Sequence, residues 1–173
     1  KELTNSYWND RYLDGHTGWD LGQVSPPIKA YIDQLEDKSI SILIPGGGNS
    51  YEAEYLYNEG FTNIFVLDYA QAAMVAFGKR NPSFPKENIL IEDFFEHVGV
   101  YDMIIEQTLF CAIHPNLRAA YVVKMNQLLI PKGKLVGLMF NVPLNNNRPP
   151  FGGNKEAYLA FFKPYFSIEK MQM

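Results

Sequence analysis

The 173-residue chain holds a single cysteine, Cys111, and so has no partner for an intramolecular disulfide. Its setting, TLFCAI, is apolar, which reads as a core thiol in a protein of a reducing compartment; a cytoplasmic location is expected. No apolar run approaches the roughly 20 residues needed to cross a bilayer. The opening stretch KELTNSYWND is polar, unlike a signal peptide, and it begins on Lys1 rather than Met, so a longer gene product is expected. Clusters of lysine and arginine are missing and the net charge is −4, so no nucleic-acid partner is expected. His, Cys, Asp and Glu do not fall at metal-ligand spacing, so no metal is expected. Internal repeats, low-complexity tracts and charge blocks are also missing. What remains is one globular domain with its own core, with no membrane association and no obligate protein partner expected.

Four short apolar runs have the length of strands: ISILI at 40–44, NIFVLD at 63–68, NILI at 88–91 and YDMII at 101–105. A fifth, KLVGLMF at 134–140, follows the turn PKG. Helical patterns lie between or beside them at 25–36, 51–60, 70–80, 115–129 and 155–163, the first opened by a serine and two prolines. The segment FSIEKMQM at 166–173 reads as one more strand. Strands that are apolar along their whole length, alternating with helices, predict a doubly wound, mostly parallel α/β sheet flanked by helices, Rossmann-like in class.

The first strand runs into PGGGN at 45–49. Three glycines together are entropically costly, so they mark a forced turn or a close backbone approach. In doubly wound sheets that position lies at the crevice where ligands bind, at the start of the next helix. The second strand ends in Asp68, twenty residues after Gly48, where a carboxylate can accept from ribose hydroxyls. An acid there is also an ordinary helix cap, and the glycines alone fit a ligand-free turn. Together they point to an adenosine-type ligand. A dinucleotide fits poorly, because the third glycine of G-x-G-x-x-G is replaced by Tyr51, and no triphosphate loop is present. An adenosine without phosphate leaves S-adenosylmethionine as the candidate.

Several further motifs carry a resemblance. YWNDRY…GWDLGQVSPPI, PGGGNSYE, VLDYA, EDFF, the long block from YDMIIEQTLFCAIHPNLRAAY to KLVGLMF, and RPPFGGNKEAY are similar to the thiopurine S-methyltransferase family, more so to its halide/thiol methyltransferase branch. The resemblance runs almost end to end. It implies one S-adenosylmethionine-dependent methyltransferase domain over 1–173, with an aromatic lid over 1–24. Trp8, Tyr12 and Trp19 would fold over the cofactor, where aromatic faces suit a sulfonium cation. Without the resemblance those three rings read as a plain aromatic satellite core. Gly46 would meet the methionine end, Asp68 the ribose, Asp93 and Phe94 the adenine, and Gln107 would face cofactor and substrate. Phe140, with Pro150 and Phe151 on a mobile loop over NVPLNNNRPPFGG, would form the substrate pocket.

The chain departs from the family pattern at Asn49 and Ser50, where small residues or glycine are usual, and at Glu52, Gln107 and His114. NRPPF resembles the [DN]-P-P-[YF] loop of amino methyltransferases acting on nucleic acids, but it follows the fifth strand rather than the fourth and carries an inserted residue. Methyl transfer from a sulfonium to a soft nucleophile is a displacement that needs alignment more than covalent help. No catalytic base is therefore assigned; His114 and Glu106 are the weak candidates, and His114 before Pro115 reads more readily as a capping or surface histidine. The expected activity is methylation of a small thiol, thiopurine-like or inorganic, or of halide. The alternatives are another small apolar nucleophile, such as a phenol or selenol, or a non-catalytic cofactor binder of the same fold.

Overall fold

Residues Ile42–Pro45 form β1, and all four are buried. A strand with no solvent face must lie inside a sheet covered on both sides. The computed structural model, which describes residues 3–172, places it there. β1 pairs in parallel with β2 (Ile64–Asp68) on one side and β4 (Tyr101–Gln107) on the other. β3 (Ile89–Ile91) pairs with β2, and β5 (Leu129–Leu138) with β4. The order is therefore β3-β2-β1-β4-β5. The winding reverses between β1 and β4, so their carboxyl ends flank the crevice of the sheet.

Side chains alternate between two cores. Ile42, Ile44, Ile64 and Val66 face a cluster with α2 (Pro26–Ile32), α3 (Tyr51–Asn58) and α4 (Gln71–Arg80). Leu43, Leu67 and Ile104 face the other, with α6 (Arg118–Gln127) and α7 (Lys155–Phe162). Tyr101 and Met103 share a parity in sequence yet lie in opposite clusters. The β4–β5 register shifts between them, and such an irregularity resets which face a side chain meets.

That irregularity also moves a boundary. The fifth strand was expected from residue 134, but pairing already begins at Leu129 with Tyr101, and resumes from Lys134 with Met103. The PKG turn is thus an excursion inside β5, with Lys132 at φ 67°. The strand expected over 166–173 is not found in its described part, 166–172, and Met173 lies outside the described residues. Phe166, Ile168 and Met171 instead pack their side chains against the second core, while Glu169 reaches Lys134 of β5 at 3.2 Å.

The aromatic leader forms a helix, α1 (Asn5–Leu13), capped by Thr4, whose Oγ1 accepts from the Tyr7 amide at 3.3 Å. It lies beside α4, tied there by the Asn5 amide to the Tyr69 carbonyl. Asn9 Oδ1 accepts from the Ala72 amide at 2.8 Å, and Tyr69 donates to the Leu3 carbonyl at 2.8 Å. The leader therefore sits over the carboxyl end of β2. Among the described residues no helix is long and apolar enough to cross a membrane.

Candidate functional site

The turn after β1 winds through left-handed backbone at alternate residues: Gly46 at φ 60°, Gly48 at φ 54° and Ser50 at φ 49°. Glycine takes this conformation freely, whereas Ser50 bears about 1 kcal/mol of strain, the physical trace of its departure from a glycine pattern. The turn is held from β2: the Gly47 amide donates to the Leu67 carbonyl at 3.1 Å, and the Gly48 amide to Asp68 Oδ2 at 3.0 Å. Asp68 Oδ1 accepts from the Ala70 amide at 2.8 Å. Burial pushes the Asp68 carboxyl above the usual range, against the pull of the amides of Ala70, Gly48 and Tyr69.

The backbone approach that bare glycine permits is made first by the protein itself. The Tyr12 hydroxyl occupies the space a side chain at Gly48 would fill, and a Cβ at Gly46 would stand 2.9 Å from Leu109. Tyr12 belongs to an aromatic group in which Trp19 meets Trp8 edge-on at 5.7 Å and Tyr12 at 5.8 Å. Burial, then the Asp68 charge, raise the Tyr12 phenol well above its ordinary value, so it stays neutral. Asn49 bonds Asp20, joining the glycine turn to the leader a second time. Trp8 and Tyr12 also pack on the first core, so the leader has the structural role anticipated for a satellite core as well as a position over the turn.

Beyond the carboxyl ends of the strands lies a cavity of about 1570 Å³. Trp8, Tyr12 and Trp19 face it from the leader, and Gly46, Asp68, Asp93, Phe94 and Gln107 from the sheet. Phe140 and Pro150 line its other end. Most ligand pockets are roughly 300–1,000 Å³, so this one has room for two molecules side by side. Ser25 Oγ donates to Gln107 Oε1 at 2.7 Å, fixing that amide from the segment before α2. Asp93 Oδ1 accepts from the Phe95 amide at 2.8 Å, setting the turn that presents Phe94.

Two expected residues are not brought to the cavity. Phe151 is 3% exposed and lies beneath it, its amide donating to the Cys111 carbonyl at 2.7 Å. The loop expected to be mobile is tied here by Arg118 Nη2, which donates to the carbonyls of Phe151 at 3.3 Å and Gly152 at 2.9 Å. Glu106 is fully buried under the floor: Oε1 accepts from the Phe110 amide at the start of α5 (Leu109–Ala112), and Oε2 has no partner. It reaches no ligand from there. His114 stands exposed at the rim with Nδ1 2.7 Å from Asn116 Oδ1, capping the short turn that follows.

Cys111 lines the cavity, but burial pushes its thiol up to about 12, so it is no thiolate at neutral pH. Among the described residues no His, Cys, Asp and Glu gather in a group that could hold a metal ion. Arg11, Tyr69 and Leu109 also line the cavity and were missed in the sequence. The available signal for Arg11 was its place three residues after Trp8 on a helix.

The sheet order and the crevice define a class: the fold of the class I methyltransferases. The 1,6-didemethyltoxoflavin-N1-methyltransferase of Burkholderia thailandensis, solved with 1,6-didemethyltoxoflavin and S-adenosylhomocysteine, superposes with a TM-score of 0.77 at 14% identity. That match covers 94% of this chain and 76% of the other. The family model for thiopurine S-methyltransferases matches residues 3–173, and the chain belongs to that family of S-adenosylmethionine-dependent methyltransferases. It is 29% identical over 162 residues to a probable thiol methyltransferase 2 of Arabidopsis thaliana, covering 91% of this chain and 71% of that protein. It is 29% identical over 150 residues to thiocyanate methyltransferase 1 of Brassica oleracea, covering 83% and 66%. The chain thus spans about two thirds or a little more of these relatives.

Burial moves the Glu106 carboxyl from 4.5 up to about 7. The folded state therefore holds its proton more tightly than the unfolded chain does. That contribution to stability is complete below about pH 4.5 and lost as pH rises through 7, a loss of roughly 3 kcal/mol. Glu106→Gln, neutral at every pH, is expected to melt above the wild type at pH 8, with the gap closing towards pH 5. Thermal denaturation of both proteins across that range checks this; a gap that does not vary with pH contradicts it.

Proposed function

We propose that the protein transfers the methyl group of S-adenosylmethionine to a small, soft nucleophile: a thiol, thiopurine-like or inorganic, and halide as well. The observation that carries this reading is the single cavity that joins Asp68 and Asp93 at one end to Phe140 and Pro150 at the other. Cofactor and acceptor then meet inside one enclosure, beside Gln107.

The residues present fit the cofactor. A carboxylate has about four acceptor sites, and Asp68 accepts from the backbone amides of Gly48 and Ala70, which leaves capacity for the ribose. Phe94 offers an apolar wall for adenine beside Asp93. Gly46 lies at the methionine end, and Trp8, Tyr12 and Trp19 supply ring faces for a sulfonium. When bound, the cofactor supplies an electrophilic methyl group with an uncharged thioether as leaving group. The chain's own task is to hold the acceptor in line and keep water out, which for well-oriented pairs is worth effective molarities of roughly 10⁵ M or more. Glu106 is buried and Cys111 protonated, so neither activates the acceptor; a thiolate or halide needs no activation. We take residues 1–173 as one domain with residues 1–24 as a lid, of which residues 1 and 2 lie outside the described residues. A reducing, cytoplasmic setting suits the unpaired Cys111.

Incubation with S-adenosylmethionine and a panel of thiols, halides and phenols, read by mass spectrometry, tests the activity. S-methylated or methyl halide products with stoichiometric S-adenosylhomocysteine are expected, and kcat/KM for a cysteine-like thiol should climb with pH towards about 8.5 while halide turnover stays flat. Cofactor binding without turnover of any acceptor contradicts the reading and favours a binder of the same fold.

The lid has its own test. Hydrogen exchange over residues 5–23 should slow when S-adenosylhomocysteine is added. Trp19→Ala should weaken that binding while sparing most of the stability. Full protection without ligand, together with a loss of roughly 3–5 kcal/mol in Trp19→Ala, makes the leader core rather than lid.

A further inference from the structure

Arg11 is an unusual cation for its surroundings. One turn after Tyr7 on α1, it places its guanidinium carbon 5.5 Å from the Tyr7 ring centroid and 5.4 Å from that of Trp19. Nη1 donates to the Tyr7 hydroxyl at 3.2 Å. Nε is buried and meets no acceptor. Among the described residues its charge meets no carboxylate at ion-pair distance, although the side chain faces the cavity. Two other arginines differ. Arg80 pairs with Glu54, and Arg118 donates to two carbonyls beneath the cavity.

A guanidinium has five N–H donors, and withdrawing it from water without an anion is costly. The two carboxylates in the same cavity are engaged elsewhere, Asp68 with the amides of Gly48 and Ala70, and Asp93 with that of Phe95. No carboxylate among the described residues completes Arg11, which leaves it open to an anion from outside the chain. Being weakly hydrated and stacked on aromatic rings, the guanidinium suits large, polarisable anions better than small, strongly hydrated ones.

Two sources could supply that charge: the carboxylate of the cofactor's amino-acid tail, or the methyl acceptor itself. The tail belongs at the glycine turn, where a smaller hollow lined by Asp20, Gln23 and Glu52 suits its ammonium; Gly46, Tyr12 and Trp19 border both that hollow and the large cavity, while Arg11 lines the large cavity alone. The large cavity that Arg11 lines also takes in Ile113, Phe140 and Pro150, within the same enclosure as Asp68 and Asp93. We infer that Arg11 is an anion subsite in the cavity roof, which selects methyl acceptors in their anionic form: soft anions such as thiocyanate, iodide or an aryl thiolate. The inference rests on the methyl-transfer reading above. Arg11 is then a specificity-determining residue that acts by binding charge, with no proton transferred.

Iodide gives a direct probe, because it quenches tryptophan on contact and Trp19 adjoins the guanidinium. The full chain, saturated with S-adenosylhomocysteine, is titrated with sodium iodide at ionic strength held constant with sodium fluoride. A saturable quenching phase is expected in the wild type. Its midpoint should move at least tenfold higher in Arg11→Gln and recover in part in Arg11→Lys, which keeps a point charge. S-adenosylhomocysteine affinity, measured by calorimetry, should stay within twofold, and KM for thiocyanate should rise far more than kcat falls. A wild type without a saturable phase, or an unchanged midpoint in Arg11→Gln, overturns the inference. Loss of S-adenosylhomocysteine affinity in Arg11→Gln with thiocyanate KM unmoved also overturns it, assigning the guanidinium to the cofactor's carboxylate. If the wild type binds no S-adenosylhomocysteine at all, the methyl-transfer reading fails first and this one with it.

Discussion

The carboxylate of Asp68 is the joint on which the site depends. One oxygen takes the Gly48 amide and the other the Ala70 amide, so the turn after β1 and the start of α4 are fixed to the same two atoms. Burying a charge there is unfavourable, and backbone donors partly replace the lost water. The carboxylate is also the polar floor of a cavity with mostly apolar walls, so the interaction that shapes the turn prepares the binding surface.

From that joint the leader follows. Tyr12 can lie against Gly48 only because the glycine has no side chain, and Trp19 then packs edge-on to both Tyr12 and Trp8. The rings form a roof, and Arg11 brings a cation to its inner surface. Floor carboxylates and a roof guanidinium put both signs of charge on the cavity wall. A thiolate or halide acceptor needs no proton carrier, which accords with His114 serving as a cap and Glu106 lying out of reach.

The sheet was legible in the sequence because its central strands are buried on both faces and so read as unbroken apolar runs. Asp68 and the glycines were legible for a related reason: a strand end in such a sheet has few positions, and each carries a fixed chemistry. The failures occurred where tertiary context overrides local pattern. FSIEKM has the alternation of a strand, yet its side chains are used against the second core. The PKG turn looked like a boundary but is absorbed as an irregularity within β5. The helix in the leader was missed because none of its residues is fully buried, and Thr4 was its main signal. Phe151 looked like a pocket wall by its neighbours; two carbonyl bonds from Arg118 set the loop so that it points beneath. Glu106 adjoins Gln107, but successive residues of a strand point to opposite faces, and Glu106 faces the core.

The central claim is that the Asp68 carboxylate receives the cofactor's ribose. Calorimetric titration of S-adenosylhomocysteine into the wild type and Asp68→Ala, with circular dichroism to verify that both are folded, tests it most directly. The account predicts binding weaker by roughly 2–4 kcal/mol in the variant, as for a lost hydrogen-bond partner that carries charge. Equal affinity in two folded proteins would contradict it and remove Asp68 from the site.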